Sequence, residues 1–143
     1  VQKELTIIIV TFNSDNQVIN LIKKHPKNIK ILVIENSDRK KFKKKIEKIR
    51  KNVQCILTGG NIGYGRANNI GIKHAKTEFV LIQNPDTLVS SQVIKKLHKT
   101  IKEDKKIAAI SCQSKDDRNK ISKNYYFNKL SKVKEKYNNS KKL

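Results

Sequence analysis

The sequence predicts an α/β fold, a mostly parallel sheet flanked by helices on both faces. Three observations lead there. Short β-branched apolar runs recur along the chain, each too short for a typical helix. Lysine-rich segments with apolar residues at helical spacing alternate with these runs. Polar and glycine residues cluster directly after the runs. Strands alternating with helices imply a parallel sheet built by right-handed crossovers.

Taken in order, residues 5–12 (Leu-Thr-Ile-Ile-Ile-Val-Thr-Phe) read as a strand buried on both faces. Asn13, Ser14 and Asp15 supply turn and N-cap chemistry for a helix patterned by Val18, Ile19, Leu21 and Ile22, which stops near His25-Pro26. A second strand at 31–34 ends in Glu35-Asn36-Ser37-Asp38, and a helix over 39–51 buries Phe42, Ile46 and Ile49. A third strand at 53–57 leads into the glycine-rich stretch 59–65. Ala67, Ile70, Ile72 and Ala75 pattern the next helix, where Gly71 permits close packing. A fourth strand at 79–82 ends in Gln83-Asn84-Pro85-Asp86. Val93, Ile94, Leu97 and Ile101 pattern a fourth helix, and a fifth strand is expected at 107–110. Beyond Ser114 the pattern decays. Tyr125, Tyr126 and Phe127 suit one more strand, and Leu130, Val133 and Tyr137 a weak amphipathic helix in what reads equally as a frayed tail.

A length of 143 residues suits one domain with a proper core. Lys and Arg number 33 against 12 Asp and Glu, a formal charge of +21. Such a field attracts polyanions, at about 1 kcal/mol per basic residue near an anionic leaflet. The lysines, however, fill the outer positions of amphipathic patterns. Neither an aromatic–basic RNA-binding signature nor zinc-finger spacing accompanies them, so nucleic acid is not the expected partner. The apolar run at 5–12 is far shorter than the ~20 residues that span a bilayer and has no cleavage site after it. Cys55 and Cys112 sit inside apolar runs without metal-ligand spacing, which suits buried free thiols in a reducing, cytoplasmic compartment.

In parallel sheets ligands bind outside the carboxyl ends of the strands. Four such ends carry Thr11-Phe12-Asn13, Glu35-Asn36, the glycine loop and Asn84-Pro85-Asp86, all facing one crevice. Glycines between a strand and a helix allow positive φ and close approach of an anion to the helix N-terminus. The loop is not a dinucleotide fingerprint: Gly63-Tyr64-Gly65 is followed by Asn68 instead of glycine, and it follows the third strand. Asp86, stiffened by Pro85, suits a divalent cation that also takes diphosphate oxygens, although a lone turn aspartate is more often turn chemistry. Glu35 offers an inward carboxylate or a solvated strand-end charge. His25, His74 and His98 lie in lysine-rich helical contexts and read as surface residues; no nucleophile–base arrangement follows from spacing.

Thr-Ile-Ile-Ile-Val-Thr-Phe-Asn at 6–13, Ile-Leu-Val-Ile-Glu-Asn-Ser at 31–37, Gly-Gly-Asn-Ile-Gly-Tyr-Gly-Arg-Ala-Asn-Asn-Ile-Gly at 59–71 and Gln-Asn-Pro-Asp-Thr at 83–87 together resemble the family-two glycosyltransferases. The closest likeness is to the rhamnosyltransferase-like branch, and the resemblance covers roughly 5–112. It implies a GT-A fold with a nucleotide-sugar donor lying across the strand ends. Residues 1–114 would form the nucleotide-sugar-binding domain, and 115–143 a basic extension, partly disordered or a remnant of the acceptor-binding part. By resemblance, Thr11, Phe12 and Asn13 border the base and ribose, and Glu35 stands where the family has a base-contacting aspartate. Asn61, Gly63, Arg66 and Asn68 lie beside the nucleotide and its diphosphate. Asn84 and Asp86 match the first and last positions of an Asp-x-Asp motif, leaving Asp86 as the ligand of Mg²⁺ or Mn²⁺.

The implied reaction is inverting, metal-dependent transfer of a sugar from a UDP- or dTDP-sugar to a glycan or lipid-linked acceptor, with a possible peripheral contact at the inner face of an anionic membrane. The family's acceptor segment and acidic base lie beyond this length. After Asp104 the acids are Asp116, Asp117 and Glu135, which do not match the base motif. The chain is therefore expected to be the donor-binding half of an enzyme, with the catalytic base unassigned. Two other readings stay open: a non-catalytic nucleotide-sugar-binding module, and an electrostatic nucleic-acid binder.

Overall fold

The computed structural model describes residues 4–113, 115, 118, 120 and 121. The chain divides into two units, 1–109 and 110–143. In the first, four strands, β1 (Leu5–Thr11), β2 (Lys30–Glu35), β3 (Val53–Leu57) and β4 (Phe79–Ile82), alternate with four helices, α1 (Asp15–Lys24), α2 (Lys40–Glu47), α3 (Tyr64–His74) and α4 (Ser91–Glu103). The sheet order is β3-β2-β1-β4 and every pairing is parallel, so all four carboxyl ends lie on one edge. This is the α/β architecture that the alternation of runs predicts.

Alternation along the central strands sorts the core into two layers. Ile7, Ile9, Ile31 and Val33 pack with Val18 and Ile22 of α1, Phe42 and Ile46 of α2, and Ile94 of α4. Ile8, Val10, Leu32 and Ile34 face Ala67 and the partly buried Ile70 of α3. Both faces of β1 and β2 are thereby covered, which is why the centres of both strands, 7–10 and 31–34, are continuous apolar runs. Gly71 brings α3 onto the sheet: a Cβ there would lie 2.6 Å from Ile8 Cγ2, a β-branched side chain with little freedom to move.

α1 ends where expected, with His25 extended ahead of Pro26. α4 is capped by Ser90, whose Oγ accepts from the Val93 amide at 3.3 Å. α2 is shorter than the 39–51 expected. The Ile49 amide bonds Ile46 O at 3.0 Å, tightening the last turn, and the Glu47 carboxylate accepts from the Cys55 amide at 2.9 Å, tying the helix end to β3.

The fifth strand expected at 107–110 does not form. This run is half alanine, which is depleted in strands, and no residue of it is buried. In the second unit Lys115 and Ile121 form an isolated antiparallel bridge. The strand at Tyr125, Tyr126 and Phe127, the helix of Leu130, Val133 and Tyr137, and the acids Asp116, Asp117 and Glu135 lie outside the described residues. No helix among the described residues is long and apolar enough to cross a membrane.

Candidate functional site

At the carboxyl edge of the sheet lies an open cavity of about 430 Å³, within the ~300–1,000 Å³ usual for small-molecule sites. β1 and its exit contribute Val10, Phe12 and Ser14, and β2 contributes Asn36. The glycine loop and the start of α3 add Asn61, Gly63 and Tyr64, and the turn after β4 adds Asn84, Pro85 and Asp86.

Asn36 is the hub of the glycine-loop side. It is 3% exposed, and its Oδ1 accepts from the Ile62 amide at 3.1 Å and from Thr58 Oγ1 at 3.0 Å. Its Nδ2 donates to Asn61 Oδ1 at 3.0 Å, and that oxygen also accepts from the Gly63 amide at 3.0 Å. Gly59, Gly60 and Gly63 all have positive φ, so the loop needs glycine at these positions. Gly63 is the N-cap of α3, and no side chain caps that helix start. The free amides of its first turn and the exposed Arg66, which makes no ion pair among the described residues, favour an anion beside the cavity.

Across the cavity, Tyr64 Oη donates to Asn84 Oδ1 at 2.7 Å, linking the α3 start to the turn after β4. Asp86 is exposed; its Oδ1 accepts from Thr87 Oγ1 at 3.2 Å, and it has no ion pair among the described residues. Among the described residues it is the only acidic one on the cavity wall. No group of three or more His, Cys, Asp or Glu able to hold a metal occurs among the described residues. A carboxylate with no ion pair among the described residues, on the same cavity wall as the Asn84 amide oxygen, is nonetheless a hard-oxygen set of the kind Mg²⁺ uses when phosphates complete its shell, so the residues fit such a cation.

Of the residues singled out in the sequence, Phe12, Asn61, Gly63, Asn84 and Asp86 are brought to this one cavity. The others are not on its wall. Thr11 and Glu35 are register partners at odd strand positions, on the α1–α2 face, whereas Val10 and Asn36 occupy even positions on the α3 side. Thr11 is buried with Oγ1 unpartnered. Glu35 is 1% exposed, its carboxylate accepting from the Ser37 amide at 3.1 Å and the Arg39 amide at 2.6 Å. Asn13, at φ 52°, is exposed and donates its amide to Ser37 Oγ at 3.0 Å. Asn68 is buried, donating to Tyr64 O at 3.1 Å with its own Oδ1 unpartnered. Val10 and Ser14 have no site role in the sequence, and Asn36, Tyr64 and Pro85 stand there only as members of the strand-end segments that face the crevice, with no individual ligand contact. Strand parity with Leu32 and Ile34 marks Asn36, and an aromatic between two glycines marks Tyr64.

The expectation of three surface histidines is corrected. His74 is exposed, but His25 and His98 are buried. His25 lies just past the end of α1, where the chain turns inward to Pro26, and its Nε2 bonds Gln83 Oε1 at 2.9 Å. His98 shares the inner face of α4 with Ile94 and meets Phe79 edge-on at 5.0 Å. Cys55 is buried as expected, and burial pushes its thiol up to about 12. Cys112 is exposed instead.

Burial lowers the pKa of both His25 and His98, against opposing effects of Gln83 on the first and Glu4 on the second. Burial alone would raise the Glu47 carboxyl, but hydrogen bonds from Lys43 and the Cys55 amide hold it below its ordinary value. In each case the unfolded chain binds more protons, so stability rises with pH. The histidine contributions are complete above about 6.5 and are lost as pH falls below it; that of Glu47 is lost below about 4.5. Thermal melts are expected to show the melting temperature falling between pH 7.5 and 5 and again below 4.5. A flat profile would contradict the burial of both histidines.

The glycosyl transferase family 2 profile matches residues 6–143. The low-salt glycan biosynthesis hexosyltransferase Agl10 of Haloferax volcanii is 30% identical over 99 residues, covering 66% of this chain and 32% of that protein. The crystal structure of S. aureus TarS 1–349 superposes with a TM-score of 0.57 at 25% identity, covering 70% of this chain and 32% of that one. The chain thus spans about a third of the length of the curated relative it matches.

Proposed function

The chain belongs to glycosyl transferase family 2, and from that premise we propose that it forms the donor-binding part of an enzyme moving a sugar from a nucleotide diphosphate to a glycan or lipid-linked acceptor. The observation that carries this reading is the shared cavity: the glycine-bordered ledge of Asn61 and Gly63 and the carboxylate of Asp86 line the same space. A diphosphate there has amide donors and the α3 N-terminus on one side and a cation-holding carboxylate on the other. The exposed ring of Phe12 offers an apolar face to the base or ribose.

Asp86 would hold Mg²⁺ or Mn²⁺ together with the donor's phosphates, with Asn84 beside it. When bound, the cation offsets charge growing on the departing diphosphate. The chain's own residues orient that diphosphate: Asn36 fixes the glycine loop, Tyr64 fixes the Asn84 amide, and both act before any bond changes. Inversion, a UDP- or dTDP-linked donor and the rhamnosyltransferase-like branch are the finer parts of this proposal, and rest on the combined sequence resemblance at 6–13, 31–37, 59–71 and 83–87. Exposed lysines on α1 and α2, among them Lys23, Lys24, Lys40, Lys41, Lys44 and Lys45, suit contact with an anionic cytoplasmic leaflet near a lipid-linked acceptor.

Asp86 being the sole acid on the cavity wall among the described residues favours a second reading, a module that binds the nucleotide sugar without turning it over. Titrating UDP- and dTDP-sugars with Mn²⁺ by calorimetry, while following release of the nucleoside diphosphate, separates the two. Saturable binding with turnover supports the enzyme, and saturable binding alone supports the module. Absence of binding by any donor at millimolar concentration defeats both.

A further inference from the structure

Asp86 is exposed and braced by a single 3.2 Å hydrogen bond from its neighbour Thr87, so its position in the cavity depends on the backbone turn that carries it. That turn closes through the Thr87 amide on Asn84 O at 3.2 Å. It rests on the side chain of Gln83, which is 3% exposed. The Gln83 amide nitrogen donates to Thr87 O at 2.6 Å, while its backbone amide donates to Ile8 O at 2.9 Å, extending the β1–β4 ladder by one bond. Residue 83 thus joins β1, through its backbone, to the far end of the turn, through its side chain.

The other end of the carboxamide is held just as firmly. Gln83 Oε1 lies 2.9 Å from His25 Nε2. Because the Gln83 nitrogen is engaged with a carbonyl, its oxygen faces the ring, and His25 must carry hydrogen on Nε2. His25 is itself anchored twice: its amide donates to Leu21 O at 3.2 Å and its carbonyl accepts from Arg50 Nη1 at 2.9 Å. The chain Arg50–His25–Gln83–Thr87 therefore ties the turn bearing Asp86 to α1 and to the connection between α2 and β3. An apolar residue at 83 would fill the same buried place, whereas only a carboxamide reaches both a ring nitrogen and a carbonyl. The two residues lie 58 positions apart, so the contact is made by the tertiary fold and not by either element alone.

We propose that Gln83 and His25 are positioning residues that set the Asp86 carboxylate for the cation–diphosphate pair. The inference rests on the reading of Asp86 as the cation ligand given above. Outer-shell partners of this kind typically contribute roughly ten- to hundredfold to metal affinity.

The test uses the full 143-residue chain and calorimetric titration with UDP and with dTDP, each with and without Mn²⁺. Gln83→Met and His25→Leu are expected to lose roughly ten- to hundredfold of the affinity that Mn²⁺ adds, with metal-free binding unchanged. His25→Gln, which keeps an N–H donor, is expected to recover most of it. Mn²⁺-dependent binding equal to the unaltered chain in both variants overturns the proposal, as does an equal loss with and without metal, which would mark a purely structural role. Should Gln83→Met fail to fold, the His25→Leu and His25→Gln pair decides by the same criteria. If the unaltered chain gains nothing from Mn²⁺, the reading of Asp86 fails first and this inference falls with it.

Discussion

Replacing Asp86 by alanine is expected to remove the Mn²⁺-dependent part of nucleoside-diphosphate binding while leaving the fold intact. The side chain is exposed, makes one 3.2 Å bond to its neighbour and has no ion pair among the described residues, so the change in stability should stay within about 0.5 kcal/mol. The binding effect should be far larger. Mg²⁺-like cations at phosphate sites lean on one or two carboxylates, and Asp86 is the only acid that the described residues bring to the cavity. Its loss should exceed the roughly ten- to hundredfold expected for an outer-shell residue. Binding should fall to the metal-free level and not to zero, because a chain of charge +21 with an uncapped helix start still attracts a diphosphate. Asn84→Asp should act in the opposite direction, adding a second carboxylate and tightening the metal-bound complex. Calorimetry of UDP and dTDP with and without Mn²⁺ reads all three proteins, and an unchanged metal increment in Asp86→Ala would refute the cation assignment.

The contrast between what the sequence disclosed and what it hid follows from the range of the forces involved. Strands expected at 53–57 and 79–82 agree with the structure residue for residue, because each is a mostly apolar segment bounded by polar residues on both sides. The strand-end rule likewise directs attention to the edge where the cavity lies, since in an all-parallel sheet it depends only on strand order along the chain. Parity is where the reading fell short: Thr11 and Glu35 sit one residue away from Val10 and Asn36, yet point into the opposite layer. The burial of His25 depends on Gln83 and Arg50, which are distant in sequence, and local composition carries no trace of either contact. The strand expected at 107–110 shows the converse limit, in which two isoleucines flanking two alanines read as an apolar run but do not form a strand.

Glu35 provides the sharpest test of what likeness to a family transfers. The resemblance assigns it to the nucleotide base, but both carboxylate oxygens are engaged by the chain's own backbone, at 3.1 Å from the Ser37 amide and 2.6 Å from the Arg39 amide. Arg39 is the N-cap of α2, so the carboxylate sits at a helix start, where negative charge is favoured. The Glu35 carbonyl also accepts from the Thr58 amide at 3.1 Å, holding the entry to the glycine loop. Glu35→Ala would strand two amide donors and open a void, and hydrogen bonds to a charged group contribute about 1.5–3 kcal/mol. A loss of about 2–4 kcal/mol in unfolding free energy is therefore expected by urea denaturation, with Glu35→Gln losing about half, since one acceptor remains. The ratio of UDP to dTDP affinity should stay near that of the unaltered chain in Glu35→Gln. A variant that keeps its stability but loses base discrimination would show the opposite: that Glu35 leaves its backbone partners to read the base, and that the longer side chain performs the aspartate's role.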